Sequence, residues 1–78
     1  MRTPMMYDRR WIREARLKAG LTQEEIAKYS GITTAQYNRI ELGYCKPSIT
    51  AGLKMCDKLS LNPRNFLTEK VQAFVFND

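Results

Sequence analysis

The chain has no histidine, and its only cysteines are Cys45 and Cys56. Without an imidazole or a closely spaced thiol pair it lacks a ligand set for zinc, so no metal is expected. It also has no paired acids in an evident cleft and no glycine-rich loop to cradle a phosphate. It therefore lacks a catalytic set, and neither an enzyme nor a cofactor is expected. No apolar run approaches the roughly 18 residues that a membrane span needs. The start, MRTPMMYDRRW, offers no apolar segment long enough for a secretory leader. The expectation is a cytoplasmic protein with no membrane association. In that reducing setting both thiols are expected to stay free, Cys56 as a small core residue and Cys45 in a loop.

Carboxylates are scarce too. Eight acidic residues stand against thirteen basic ones, a net charge of +5, which favours a polyanionic partner without proving one. The 78 residues, 44% hydrophobic and 27% charged, suit one small globular domain near the lower size limit for a single core. No internal repeat or low-complexity segment interrupts it, and only the tail VQAFVF hints at strand-like alternation.

Residues 1–8 show no periodicity and contain Pro4; they read as a flexible arm before a domain spanning 9–70. Asp8 is placed to cap a first helix over 9–19, with Ile12, Ala15 and Ala19 inward and Trp11 at the edge. Gly20 closes it. In LTQEEIAKYSG, Thr22 and Glu25 form a capping box for a helix over 23–30, with Leu21 stapled on Ile26. Gly31 ends that helix, Thr33 caps a third over 34–41, and Gly43 closes it. Pro47 and Ser48 introduce a fourth helix with the stripe Ile49, Leu53, Cys56 and Leu59. Asn62 caps a short fifth that begins at Pro63 and turns Phe66 and Leu67 into the core. The expected fold is all-α, with five short helices.

The second and third helices, joined through Gly31 with small Ala27 at the crossing, describe a helix-turn-helix. Ile26, Ile32, Tyr37 and Ile40 are suited to bury the hinge. The third helix carries Thr34, Gln36, Asn38 and Arg39 in place of ordinary lysine and glutamate. Amides and guanidinium groups form paired hydrogen bonds to base edges in the major groove.

The stretch LTQEEIAKYSGITTAQYNRIELGYCKPS resembles the XRE-type, lambda-repressor-like family of helix-turn-helix DNA-binding domains, and the likeness covers roughly residues 9–67. The resemblance implies that Thr34, Ala35, Asn38 and Arg39 face the bases, with Gln36 pointing more sideways. It places a phosphate contact at Gln23; Thr33 at the third helix's cap, Tyr44 and Lys46 in the loop before the fourth helix and Ser48 at that helix's cap are expected to reach others. Tyr37, which stands where the family usually has isoleucine or valine, is expected to add a phenol at the DNA-facing edge as a further phosphate contact. Leu42 replaces the usual asparagine before Gly43, and Gly52 replaces a common apolar residue. Arg9, Arg10 and Arg13 read either as a solvated face or as phosphate contacts. Arg16 and Glu41 match a structural pair that ties the first helix to the third.

The tail, residues 71–78, carries Val71, Phe74, Val75 and Phe76. Packing back on the domain and building a dimer interface are both open for it. The function expected is sequence-specific binding of double-stranded DNA by a homodimeric transcriptional regulator, a repressor by its resemblance. The alternative is an antitoxin or protein-interaction module whose partner is a toxin.

Overall fold

The computed structural model describes residues 7–69. Within them α1 spans Arg10–Lys18, α2 Gln23–Ser30, α3 Thr34–Leu42 and α4 Ile49–Leu59, and one 3-10 turn follows at Pro63–Phe66. The all-α class agrees with the sequence, but the fifth element is a single tight turn.

Local chemistry explains most of the boundaries. At the start of α2 the Thr22 hydroxyl accepts from the Glu25 N–H (3.0 Å), and the Glu25 carboxylate accepts from the Thr22 N–H (2.8 Å). The same reciprocal box opens α3, where Thr33 pairs with Gln36 (3.0 and 2.9 Å). Ser48 caps α4 by accepting from the Ala51 N–H, and Asn62 caps the 3-10 turn through the Arg64 N–H. Each cap satisfies a backbone donor that a helix start leaves orphaned.

α1 departs from the expected pattern at both ends. Arg9, not Asp8, occupies the cap position, and it offers no side-chain acceptor. Asp8 accepts from the Arg10 N–H (3.1 Å) and holds the Arg10 guanidinium. That pairing keeps the Asp8 carboxyl at about 2. At the far end the helix stops at Lys18, so Ala19 drops off the inward stripe and is exposed.

The core gathers Ile12, Ile26, Ala27, Tyr37, Ile40, Met55 and Leu59, with Trp11, Leu21, Ile32 and Phe66 packed at its margin. Trp11 meets Phe66 edge-on at 5.1 Å. Cys56 is buried and its thiol is pushed up by that burial, while Cys45 is half-buried; both are free.

The α4 stripe is corrected by the structure. Ala51, Gly52, Met55, Cys56 and Leu59 face inward, whereas Ile49 is 82% and Leu53 51% exposed. Positions 52, 55, 56 and 59 satisfy the three-and-four spacing of one helical face as well as 49, 53 and 56 do, and only the packing angle chooses between them. Leu67 is also exposed, at 78%, because the tight turn points Phe66 alone toward the core.

Tyr7 and Asp8, expected in a flexible arm, belong to the fold. The Tyr7 N–H donates to the Gly43 carbonyl (3.1 Å), and its ring lies under the cations of Arg9 (4.8 Å) and Lys46 (5.3 Å). No helix among the described residues is long and apolar enough to cross a membrane.

Candidate nucleic-acid interface

α2 and α3 meet through a turn that Gly31 makes with φ +80°, a value L side chains rarely adopt. The Ile32 N–H returns to the Ala27 carbonyl (3.0 Å) and fixes the angle between the helices. Buried Ala27 allows α2 its close approach. α3 thereby turns Tyr37, Ile40 and Glu41 inward and leaves Thr34, Ala35, Gln36 and Arg39 exposed, with Asn38 half-buried at the edge.

Beneath that exposed face lies a hydrogen-bonded cluster centred on Glu41, which is 7% exposed. Arg16 donates from Nε to Glu41 Oε2 (2.7 Å) and from Nη2 to Oε1 (3.3 Å). The Tyr37 hydroxyl donates to Oε2 (2.9 Å), and Gln23 Nε2 donates to Oε1 (2.6 Å). Burial raises the Glu41 carboxyl, but the bonds from Arg16, Gln23 and Tyr37 outweigh it and hold the group below its ordinary value. The bond to Glu41 raises Arg16 in turn. Tyr37 is raised by burial first and by the Glu41 charge second.

A carboxylate only accepts, so Gln23 must present its NH2 to Glu41. The Gln23 oxygen is then free to accept, and it does so from Asn38 Nδ2 at 3.2 Å. This chain of donors fixes which way the Asn38 amide faces. Its Oδ1 and its second amide hydrogen remain for a ligand.

Tyr37 does not stand at the DNA-facing edge. It is 0% exposed and its hydroxyl is committed to Glu41, so the expected phosphate contact is excluded by burial. A phenol on the inward side of α3 fills the place of a branched aliphatic and adds a donor to the buried charge. Gln23 reaches Glu41 and Asn38 by its amide, leaving its second Nε2 hydrogen. Thr33 and Ser48 spend acceptor capacity on their caps and keep a hydroxyl hydrogen. Tyr44 is half-buried. Gln36, Arg39, Lys46 and Ser48 share the walls of one cleft of about 330 Å³ between α3 and the loop before α4.

Arg9 was invisible to sequence reasoning as a structural residue. It is 2% exposed. Nη1 donates to the carbonyls of Ile40 (2.7 Å) and Cys45 (3.2 Å), so a cation satisfies the C-terminal end of α3. Its Nε lies against the Glu69 carboxylate, which also accepts from Trp11 Nε1 (3.1 Å). Three arginines at positions 9, 10 and 13 look alike in sequence. What sets Arg9 apart is tertiary, beginning with the Tyr7 ring that stacks on its guanidinium. Arg10 and Arg13 are exposed.

The charge is now located. From Gly31 to Cys56 the sole carboxylate is that of Glu41, and it is buried. Arg39, Lys46 and Lys54 are all exposed. Residues 31–56, from the turn through α3 into the first turns of α4, therefore expose cations and amides but no carboxylate; the nearest exposed acids in sequence are Glu25 on α2 and Asp57 on α4.

A family model described as helix-turn-helix matches residues 12–66. The chain belongs to the XRE-type helix-turn-helix family. It is also similar to the Uncharacterized HTH-type transcriptional regulator YqaF of Bacillus subtilis (strain 168). The two are 43% identical over 54 residues, which covers 69% of this chain and 71% of the relative. The family is one of DNA-binding regulators of transcription.

Proposed function

We propose that this chain binds double-stranded DNA sequence-specifically as a homodimer, inserting α3 in the major groove, and that it regulates transcription as a repressor. The observation that carries the reading is the α3 face itself: exposed amide and guanidinium groups on a helix-turn-helix, in a stretch, residues 31–56, whose one carboxylate is buried. Thr34, Ala35, Gln36, Asn38 and Arg39 read bases. Arg39 suits guanine, and the Asn38 amide, its donor–acceptor order set by Gln23, suits adenine. Gln23, Thr33, Tyr44, Lys46 and Ser48 hold phosphates, which position the domain without choosing the sequence. Residues 9–70 form the reading domain with Tyr7 and Asp8 strapped to it. Val71, Phe74, Val75 and Phe76, the residues given to dimerisation, lie outside the described residues. The relative's name as a transcriptional regulator supports the same reading.

The test is salt. Six to eight phosphates held per dimer give a slope of log K against log salt of about −5 to −7. Affinities measured at several salt concentrations on one duplex check it; a flat response removes the DNA-binding reading.

A further inference from the structure

Beside α4 a groove of about 340 Å³ is left open, room for roughly ten liquid waters at about 30 Å³ each. Pro47, Ile49, Gly52, Leu53, Phe66 and Leu67 line it, with Lys46 and Arg64 on its rim and no carboxylate among its walls. The absence of a side chain at Gly52 keeps its floor low: a Cβ there would sit 3.3 Å from Pro47 Cγ and 3.7 Å from Phe66 Cε2. Ile49, Leu53 and Leu67 are more than half exposed on one patch, a clustering that marks a surface made for a partner.

We infer that this groove receives residues 71–76 from a second copy of the chain, in a reciprocal exchange that builds the dimer; the inference rests on the dimeric reading above. The first support is chemical. Residues 71–78, VQAFVFND, combine Val71, Phe74, Val75 and Phe76 with one acid, Asp78, and no lysine or arginine. An apolar segment with an acidic end complements an apolar groove with a basic rim. The second support is where the described chain stops. Leu67 forms part of the groove wall, and two residues later Glu69 is held against α1 by Arg9 and Trp11. Filling the same copy's groove would call for a reversal of the chain after Glu69. Residues 69–76, EKVQAFVF, contain no glycine, proline, asparagine, aspartate or serine, the residues that make tight reversals. Extended at about 3.3–3.6 Å per residue, residues 70–76 reach roughly 25 Å, far enough to cross to a neighbouring copy.

The experiment uses the full chain without DNA, by sedimentation velocity and native mass spectrometry. The wild-type chain is expected to form a concentration-dependent dimer. Ile49→Glu alters the groove at an exposed first-turn position, where an acid suits the helix start, so the fold should be kept. Phe74→Asp alters the tail. Each variant alone should associate at least ten-fold more weakly. Mixed, the two should form a heterodimer of intermediate mass, because one intact groove then meets one intact tail. Leu53→Glu, with circular dichroism as the check on folding, repeats the test at a second groove position. A monomeric wild type overturns the inference, whether the tail folds back or the groove serves another protein. A dimer indifferent to Phe74→Asp overturns it in favour of direct patch-to-patch contact. A mixture that stays monomeric removes the exchange. None of these readings involves DNA, so a failure here is separable from a failure of the DNA-binding reading.

Discussion

Glu41 is the residue that ties α3 to the rest of the fold. It has four donors from three elements: two from Arg16 on α1, one from Gln23 on α2 and one from Tyr37 on α3. Removing one partner of a buried pair costs about 3–5 kcal/mol because the other charge is left uncompensated. With Gln23 and Tyr37 still donating, Arg16→Ala should fall toward the lower end, near 3 kcal/mol in denaturant unfolding. A loss below about 0.5 kcal/mol would mean the cluster does not act as described. The same residues set a pH signature. The Glu41 carboxyl is lowered in the fold, so its contribution is complete above the unfolded value of about 4.3 and is lost as pH falls through the folded one. Tyr37 is raised, so its contribution is complete below about 10 and is lost as pH rises beyond that. Stability measured against pH should therefore decline at both ends. Glu41→Gln should flatten the acid arm, at the cost of about 3–5 kcal/mol for a buried pair that loses one charge, and Tyr37→Phe the alkaline one, at the cost of a hydrogen bond to a charged group, about 1.5–3 kcal/mol.

Helix ends were legible in the sequence because their signals are local. Thr22 with Glu25, Thr33, Ser48 and Asn62 lie within three residues of the backbone groups they satisfy. The Gln36 half of the second box has the same three-residue spacing, but in sequence Gln36 reads as a DNA contact instead, and Tyr37 reads both as burying the hinge and as a phenol at the DNA-facing edge, since a phenolic residue on a short helix declares no side. α4 shows the limit most clearly: two overlapping stripes fit its sequence, and packing against α2 and Pro47 decides between them. Gly43 carries a tertiary demand that sequence shows only as a helix stop. Its φ is +93°, and a Cβ there would lie 2.1 Å from the Tyr7 carbonyl oxygen. At Gly31, with φ +80°, a Cβ meets nothing within 4 Å. Both alanine substitutions incur the left-handed penalty of roughly 1–2 kcal/mol; only Gly43→Ala also displaces the Tyr7 strap. Thermal or denaturant unfolding should rank Gly43→Ala clearly less stable than Gly31→Ala. Equal losses would mean that Tyr7 does not pack there.

At the scale of the molecule, an N-terminal strap and a C-terminal latch close on the same place. Tyr7 bonds to Gly43, Arg9 holds the carbonyls at the end of α3, and Glu69 closes over Arg9 and Trp11. The end of α3 is thus braced from both ends of the described chain, which suits the role proposed for it on DNA. Long-range closure of this kind has no period or spacing, and the sequence did not disclose it. The net charge of +5 was legible as a sum, but its placement became informative only with Glu41 and Glu69 buried. The proposed roles of Arg39 in reading and Lys46 in positioning are separated by a pair of variants. Duplexes selected from random DNA, together with their single-base variants, should be titrated with the wild type, Arg39→Ala and Lys46→Ala. Arg39→Ala is expected to cost about 1–3 kcal/mol on the selected site and to relax the preference at one position of each half-site. Lys46→Ala should weaken every duplex alike and flatten the salt slope by about one unit for each phosphate no longer held. If Arg39→Ala instead lowers all affinities by one common factor, Arg39 is a phosphate contact and the claim that it reads a base is contradicted.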